Sequence, residues 1–285
     1  MFENDVILTG LPRSGTTLTC HLLNKLPDTV ALHEPMQGLA RKEAPNPEAM
    51  RRELKDFFDE QRVSIRERGR ALSRNIDGVV PDNPFAGERS ADGVRRQVDA
   101  KGEIVVDKDL SDRFMLVIKH TNRFAPMLGA LVESFPVYAI VRNPLATLAS
   151  WRTIDAGIRV GRTGPAGRLA PDLRVEMDRL EDELDRQVYL LNWFWEQFLR
   201  HLPDRSIIRY EALIESGGRA LNVIRPEAEQ LAEPLENLNA NRLYDHDDMQ
   251  RIGDRLLRGE GAYWQMYSKE SVRTLLNQLQ HSPVQ

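Results

Sequence analysis

Five short apolar runs punctuate a chain that is otherwise polar and patterned for helix. Val6–Leu8, Thr29–Leu32, Phe114–Ile118, Pro136–Val141 and Ser206–Arg209 are near-continuous apolar stretches rather than alternating ones. That pattern predicts strands of a parallel sheet buried on both faces. Between them the apolar spacing turns helical. Thr16 to Leu26 opens the first helix. Residues 47–72 read as one long polar helix with an intermittent stripe at Met50, Leu54, Phe57, Phe58, Ile65 and Leu72. Residues 174–202 read as another, with Met177, Leu180, Leu184, Val188, Leu191, Phe194 and Phe198 at three- and four-residue spacing. Gly78 to Gly102 is rich in Gly, Pro, Asp and Asn and reads as loop. Alternating strands and helices predict an α/β fold, a central parallel sheet of about five strands flanked by helices in three layers.

Composition narrows the class. At 285 residues, 41% hydrophobic and 29% charged, the chain is expected to be one globular domain spanning 1–285. Its formal net charge of −4 argues against nucleic acid as a partner. The single cysteine, Cys20, excludes an internal disulfide and fits a reducing compartment. With no basic-then-apolar leader and no apolar run near 18 residues, the expected location is cytoplasmic, without a membrane span. Oligomeric state leaves no mark in the pattern.

The chemistry starts after the first strand, at Gly10-Leu11-Pro12-Arg13-Ser14-Gly15-Thr16-Thr17-Leu18. A strand, a turn bracketed by Gly10 and Gly15 and a helix N-terminus converge free amides on one point, where the helix dipole favours an anion. Thr16 and Thr17 add hydroxyls, and Arg13 adds a planar cationic fork suited to phosphate or sulfate. In nucleoside triphosphatases of the GxxxxGK[ST] pattern a Lys follows the second glycine. Here Thr16 holds that place and the positive charge has moved into the loop, so a magnesium-chelated triphosphate fits poorly.

This loop resembles the donor-binding loop of the sulfotransferases that use 3′-phosphoadenosine 5′-phosphosulfate (PAPS), in the Arg-containing version of carbohydrate and bacterial members. The resemblance implies a P-loop NTPase-like fold and transfer of a sulfuryl group to a hydroxyl or amine, releasing adenosine 3′,5′-bisphosphate (PAP). It gives the 5′-phosphosulfate to Pro12, Arg13, Ser14, Gly15, Thr16, Thr17 and Leu18, with Arg13 at the bridging oxygen. It calls for no metal, and no His/Cys/Asp cluster with metal spacing stands in the sequence. A second family signature, an Arg-Asn-Pro step with Ser eight residues after the Arg, is matched by Arg142 and Ser150 and is implied to bind the 3′-phosphate. Tyr210, in Tyr210-Glu211-Ala212-Leu213, is similar to a family tyrosine beside the adenine. Arg258, in the C-terminal segment 255–267, is implied as a further phosphate ligand.

Two strand ends supply candidate bases. His33-Glu34-Pro35 closes the second strand, and Lys119-His120 closes the third. By resemblance to carbohydrate sulfotransferases Glu34 takes the acceptor's proton; by resemblance to the cytosolic ones His120 does, one residue out of register. Lys119 is placed to neutralise charge on the sulfuryl oxygens. The stretch 37–112 reads as an insertion for binding a small-molecule or carbohydrate acceptor, and 152–173 as a flexible basic loop. Two rival readings stay open: a P-loop small-molecule kinase, and a non-catalytic nucleotide-binding module.

Overall fold

In a computed structural model of the chain, residues 2–36 and 46–280 are described. Seven strands occur in them: β1 (Asp5–Gly10), β2 (Thr29–His33), β3 (Arg70–Asn75), β4 (Ala100–Val105), β5 (Met115–Lys119), β6 (Val137–Val141) and β7 (Ile207–Arg209). Five form one parallel sheet in the order β2-β5-β1-β6-β7, with helices packed against it. The first strand is central, and the chain returns to either side of it through helical crossovers. This is an α/β fold around a central parallel sheet, with the carboxyl ends of its strands along one edge, where open sheets of this kind keep their ligands. β1, β2 and β5 are buried at every position, as uninterrupted apolar runs require. Cys20 is buried too, and desolvation pushes its thiol up to about 12. No helix among the described residues is long and apolar enough to cross a membrane.

The expected elements need correction at several points. The helix from Pro47 stops at Arg68, capped by Gly69 at φ 61, whose amide returns to the carbonyl of Ile65. Arg70–Asn75 is instead a strand, paired antiparallel with Ala100–Val105, so the loop expected over 78–102 gives way to strand at Ala100. Leu72 is then not part of a helical stripe. It faces outward, 37% exposed, while its neighbours Ala71 and Ser73 turn inward. The insertion, of which 37–45 lies outside the described residues, thus delivers a small second sheet to the carboxyl edge of the first.

The second long helix is two helices, Pro171–Asp178 and Glu183–His201. Asp182 interrupts the run because its carboxylate accepts from the amide of Asp185 and starts a new helix. The stretch 152–173, read as loop, carries short helical turns at Gly157–Val160 and Pro165–Leu169. Its first arginine, Arg152, is tied to Asp248 and Gln187.

Candidate active site

The loop between β1 and the helix Thr16–Leu23 closes tightly on β6. A Cβ at Gly10 (φ 146) would collide with the carbonyl of Ile140, so no other residue fits there. Gly15 (φ 90) leaves room for the ring of Tyr210, which a Cβ would meet at 2.9 Å. The Ser14 hydroxyl is buried against the carbonyls of Leu11 and Ile140, 2.7 Å from each, and pins the loop instead of facing a ligand. The helix has no side-chain cap, which leaves its first-turn amides free for an anion.

These groups open on a cavity of about 1080 Å³. Pro12, Arg13, Gly15, Thr16, Thr17 and Leu18 line it, with Arg142, Ser150, Tyr210, Glu34 and Lys119. The structure therefore brings together nearly all the residues singled out from the sequence. Three stay out of the wall: Ser14, His120 and Arg258. Arg258 is exposed on the last turn of the helix His246–Arg258.

Arg13 takes up a left-handed backbone (φ 67) that turns its guanidinium across the cavity. Nε donates to Oγ of Ser150 at 3.4 Å, both Nη groups reach Oδ1 of Asn83 at 3.3 Å, and the fork lies 4.7 Å over the Phe85 ring. Burial, then the field of Arg95, pushes its pKa down to about 9. Arg142 ends β6, stands 4.6 Å over the Tyr210 ring and donates to the carbonyl of Arg13 at 3.0 Å. Asn143 caps the following helix by accepting from the amide of Leu145, with Pro144 in its first turn. None of Arg13, Arg95 and Arg142 has a carboxylate within ion-pair distance among the described residues. Two buried cations, Arg95 and Arg142, and the half-buried Arg13, all without counter-charges among the described residues, make a site for an anion inside a chain whose net charge is negative.

At the other end of the cavity β2 and β5 run side by side with His33 opposite Lys119. The Lys119 ammonium donates to Glu34 Oε1 at 3.0 Å and lies 3.3 Å from Nδ1 of His33. Burial alone would raise the Glu34 carboxyl, but Lys119, His33 and His120 together hold it well below the usual carboxylate range. Behind them His33 Nε2 lies 3.0 Å from Oδ2 of Asp99, which Arg74 grips through both carboxylate oxygens. Asp99 is accordingly held at about 2, against desolvation, by His33 and Arg74. Burial, with the charge of Lys119, lowers the pKa of His33.

His120 is placed differently. Its Nε2 accepts from the amide of Met36 at 3.3 Å, and its ring packs edge-on against Phe124. Burial lowers it to about 3. The histidine is thus neutral and turned into the protein.

Sequence reasoning missed Asp99, Arg74, Arg95 and Asn83, all supplied by the loosely patterned insertion. It also passed over Glu211, whose carboxylate collects the Asn143 amide, the Asn239 side chain and the Tyr267 hydroxyl at 3.0, 2.7 and 2.6 Å.

No protein-family model matches the chain, and no curated protein matches it. Among solved structures it is similar to the sulfotransferase domain of the Synechococcus PCC 7002 olefin synthase, at 13% identity and TM-score 0.37 over 98% of this chain and 94% of that one. It is also similar to sulfotransferase STF9 from Mycobacterium avium, at 15% identity and TM-score 0.34 over 100% of this chain and 78% of the other. A third is sulfotransferase STF1 from Mycobacterium tuberculosis H37Rv, at 13% identity and TM-score 0.32 over 97% and 77%. Likeness of this degree identifies neither a donor nor an acceptor.

Proposed function

We propose that this chain is a sulfotransferase that moves a sulfuryl group from PAPS to a hydroxyl or amine of a small-molecule or carbohydrate acceptor. The observation that supports it is the placement of Arg13. The lysine of a triphosphate-binding loop is replaced by Thr16, and the loop's cation instead reaches across a cavity it shares with the Glu34–Lys119 pair. That cavity, at about 1080 Å³, is large enough for a nucleotide and an acceptor together.

The donor supplies an activated sulfuryl group on a phosphate leaving group. The chain's own residues then divide the work. The amides of Thr16 to Leu18 and the Arg13 guanidinium stabilise negative charge as it gathers on the departing phosphate. Glu34, a third exposed on the cavity side, accepts the acceptor's proton. In the resting site Lys119 keeps that carboxylate a weak base. As Lys119 turns toward charge on the sulfuryl oxygens, Glu34 loses its counter-ion and gains basicity when the proton arrives. Tyr210, wedged against Gly15, offers the adenine a flat wall.

Calorimetric titration with PAP, with ATP-magnesium as the competing ligand and Arg13→Ala as control, tests the donor half. Metal-independent binding of PAP that is weakened in the variant is expected. Preference for ATP-magnesium would overturn the reading in favour of a kinase.

A further inference from the structure

Arg142 has little left to offer a ligand. A guanidinium carries five N–H donors. Here Nε donates to Oδ1 of Asn239 at 2.7 Å and Nη1 to the carbonyl of Arg13 at 3.0 Å. Nη2 donates to the carbonyl of Leu238 at 2.6 Å and to the hydroxyl of Tyr244 at 3.3 Å. A single N–H, on Nη1, is uncommitted. A phosphate dianion seated beside Arg142 and Ser150 has three acceptor oxygens and must draw most of its donors from elsewhere. Arg258, to which the family resemblance assigns that work, lies outside the cavity wall.

Arg95 stands in the wall and has donors to spare. Only 7% of it is exposed. Its Nε donates to the carbonyl of Ala86 at 2.6 Å, and no other hydrogen bond engages its side chain among the described residues. Both Nη groups therefore keep their hydrogens free for the cavity they help to line. The main chain holds the residue rigidly to the helix that carries Ser150. Its amide donates to the carbonyl of Thr153 at 2.7 Å and its carbonyl accepts from Asp155 at 3.0 Å, while the Thr153 hydroxyl donates to the carbonyl of Ser150 at 2.9 Å. Arg13, in turn, touches Ser150 and lies within the field of Arg95. A buried guanidinium within the field of Arg13 and without a counter-charge among the described residues is unfavourable until an anion arrives.

We propose that Arg95, brought in by the insertion, binds the donor's 3′-phosphate together with Arg142 and Ser150, in the place the resemblance gives to Arg258. This rests on the PAPS-donor reading and adds a ligand that the family's motifs do not contain. A cation delivered by an insertion would make recognition of the 3′-phosphate depend on the same segment that forms the acceptor side of the cavity.

The test compares PAP with AMP, which differs from it only by the 3′-phosphate, on the wild type, Arg95→Gln, Arg95→Lys and Arg258→Gln by calorimetry. Arg95→Gln is expected to weaken PAP about tenfold or more while AMP stays within about twofold, the size of one lost charge-assisted contact. Arg258→Gln should bind both ligands as the wild type does. Equal losses for PAP and AMP in both Arg95 variants, or no loss in either, would overturn the proposal. If Arg95→Gln loses AMP through a damaged loop, Arg95→Lys decides: a reduced PAP-to-AMP ratio supports the contact, and an unchanged ratio overturns it. A wild-type protein that binds PAP no better than AMP would sink the donor reading itself, and this assignment with it.

Discussion

The ammonium of Lys119 sits 3.0 Å from the carboxylate of Glu34 because the strands that end in them are paired neighbours. His33 is directly opposite Lys119, and the Glu34 amide bonds the Lys119 carbonyl at 2.9 Å. Glu34 itself takes a left-handed backbone (φ 46), which turns its side chain back over the lysine rather than away along the strand. An acid and a cation are thus fixed at the edge of the sheet by main-chain register, before any ligand binds.

If Glu34 is the base, Glu34→Gln lowers kcat by about a hundredfold or more, the usual size of a lost general base, and leaves PAP affinity within about threefold. His120→Gln, which alters a side chain outside the cavity wall, should retain most of its kcat. Steady-state kinetics beside PAP titration separates the two effects. A larger loss of kcat in His120→Gln than in Glu34→Gln would reverse the assignment of the base.

Much of this arrangement was legible in the sequence. Strands β1, β2 and β5 showed because both faces of each are buried, and β6 and β7 because they are buried but for Tyr138 and Arg209, so their apolar runs are nearly unbroken. The anion loop showed because Gly10 and Gly15 satisfy geometric demands that other residues cannot. Arg142 and Asn143 were found from one short motif, although its spacing could not reveal that protein acceptors take up all but one of the Arg142 donors. The ladder of β3 and β4 was missed because Arg70-Ala71-Leu72-Ser73-Arg74-Asn75 has neither the β-branched content nor the apolar alternation of a strand. Its pairing comes from tertiary context, through Ser73, whose hydroxyl accepts from the His33 amide. Asp99 and Arg95 were invisible for a related reason: a polar residue in a polar loop gives no sign that folding will bury it.

Lys119→Met should uncover the ordinary acidity of Glu34. After the opposing effect of burial, Lys119 is the largest influence holding that carboxyl down. In the wild type the carboxylate therefore stays ionised well below the ordinary glutamate value of about 4.3, and kcat carries no acid limb from Glu34 at neutral to mildly acidic pH. Removing the ammonium lets desolvation dominate, so an acid limb moves up into the measurable range and the maximal rate falls. A pH profile of the variant with the same acid limb as the wild type would show that Lys119 does not control this group.

His120 should make the fold sensitive to acid without taking part in turnover. Its pKa falls from an unfolded value of about 6.5 to about 3 in the folded chain. Between these limits the unfolded state binds a proton that the folded state refuses, so stability is full above about pH 6.5 and declines as pH falls toward 3. One such group contributes a slope of up to about 1.4 kcal/mol per pH unit. Urea melts at pH 7 and pH 5 should show a smaller acid loss in His120→Asn than in the wild type. Equal losses would mean that the imidazole is not held neutral by burial.

Glu211 links the Arg142 end of the cavity to the C-terminal part of the chain. It accepts from the Asn143 amide, from Nδ2 of Asn239 and from the Tyr267 hydroxyl. Burial and the carboxylate itself push that phenol well above its usual range, so it stays a donor. Asn239 in turn accepts from Nε of Arg142 at 2.7 Å, which makes the carboxylate a positioning group for the arginine. Glu211→Ala leaves three donors without their acceptor and should cost about 2–4 kcal/mol of stability, with PAP affinity down about tenfold. Glu211→Gln keeps one acceptor oxygen and should recover part of both. Loss of stability without loss of PAP affinity in Glu211→Ala would show that Arg142 holds its place by the carbonyls of Arg13 and Leu238 alone, and that the Asn239 link is structural.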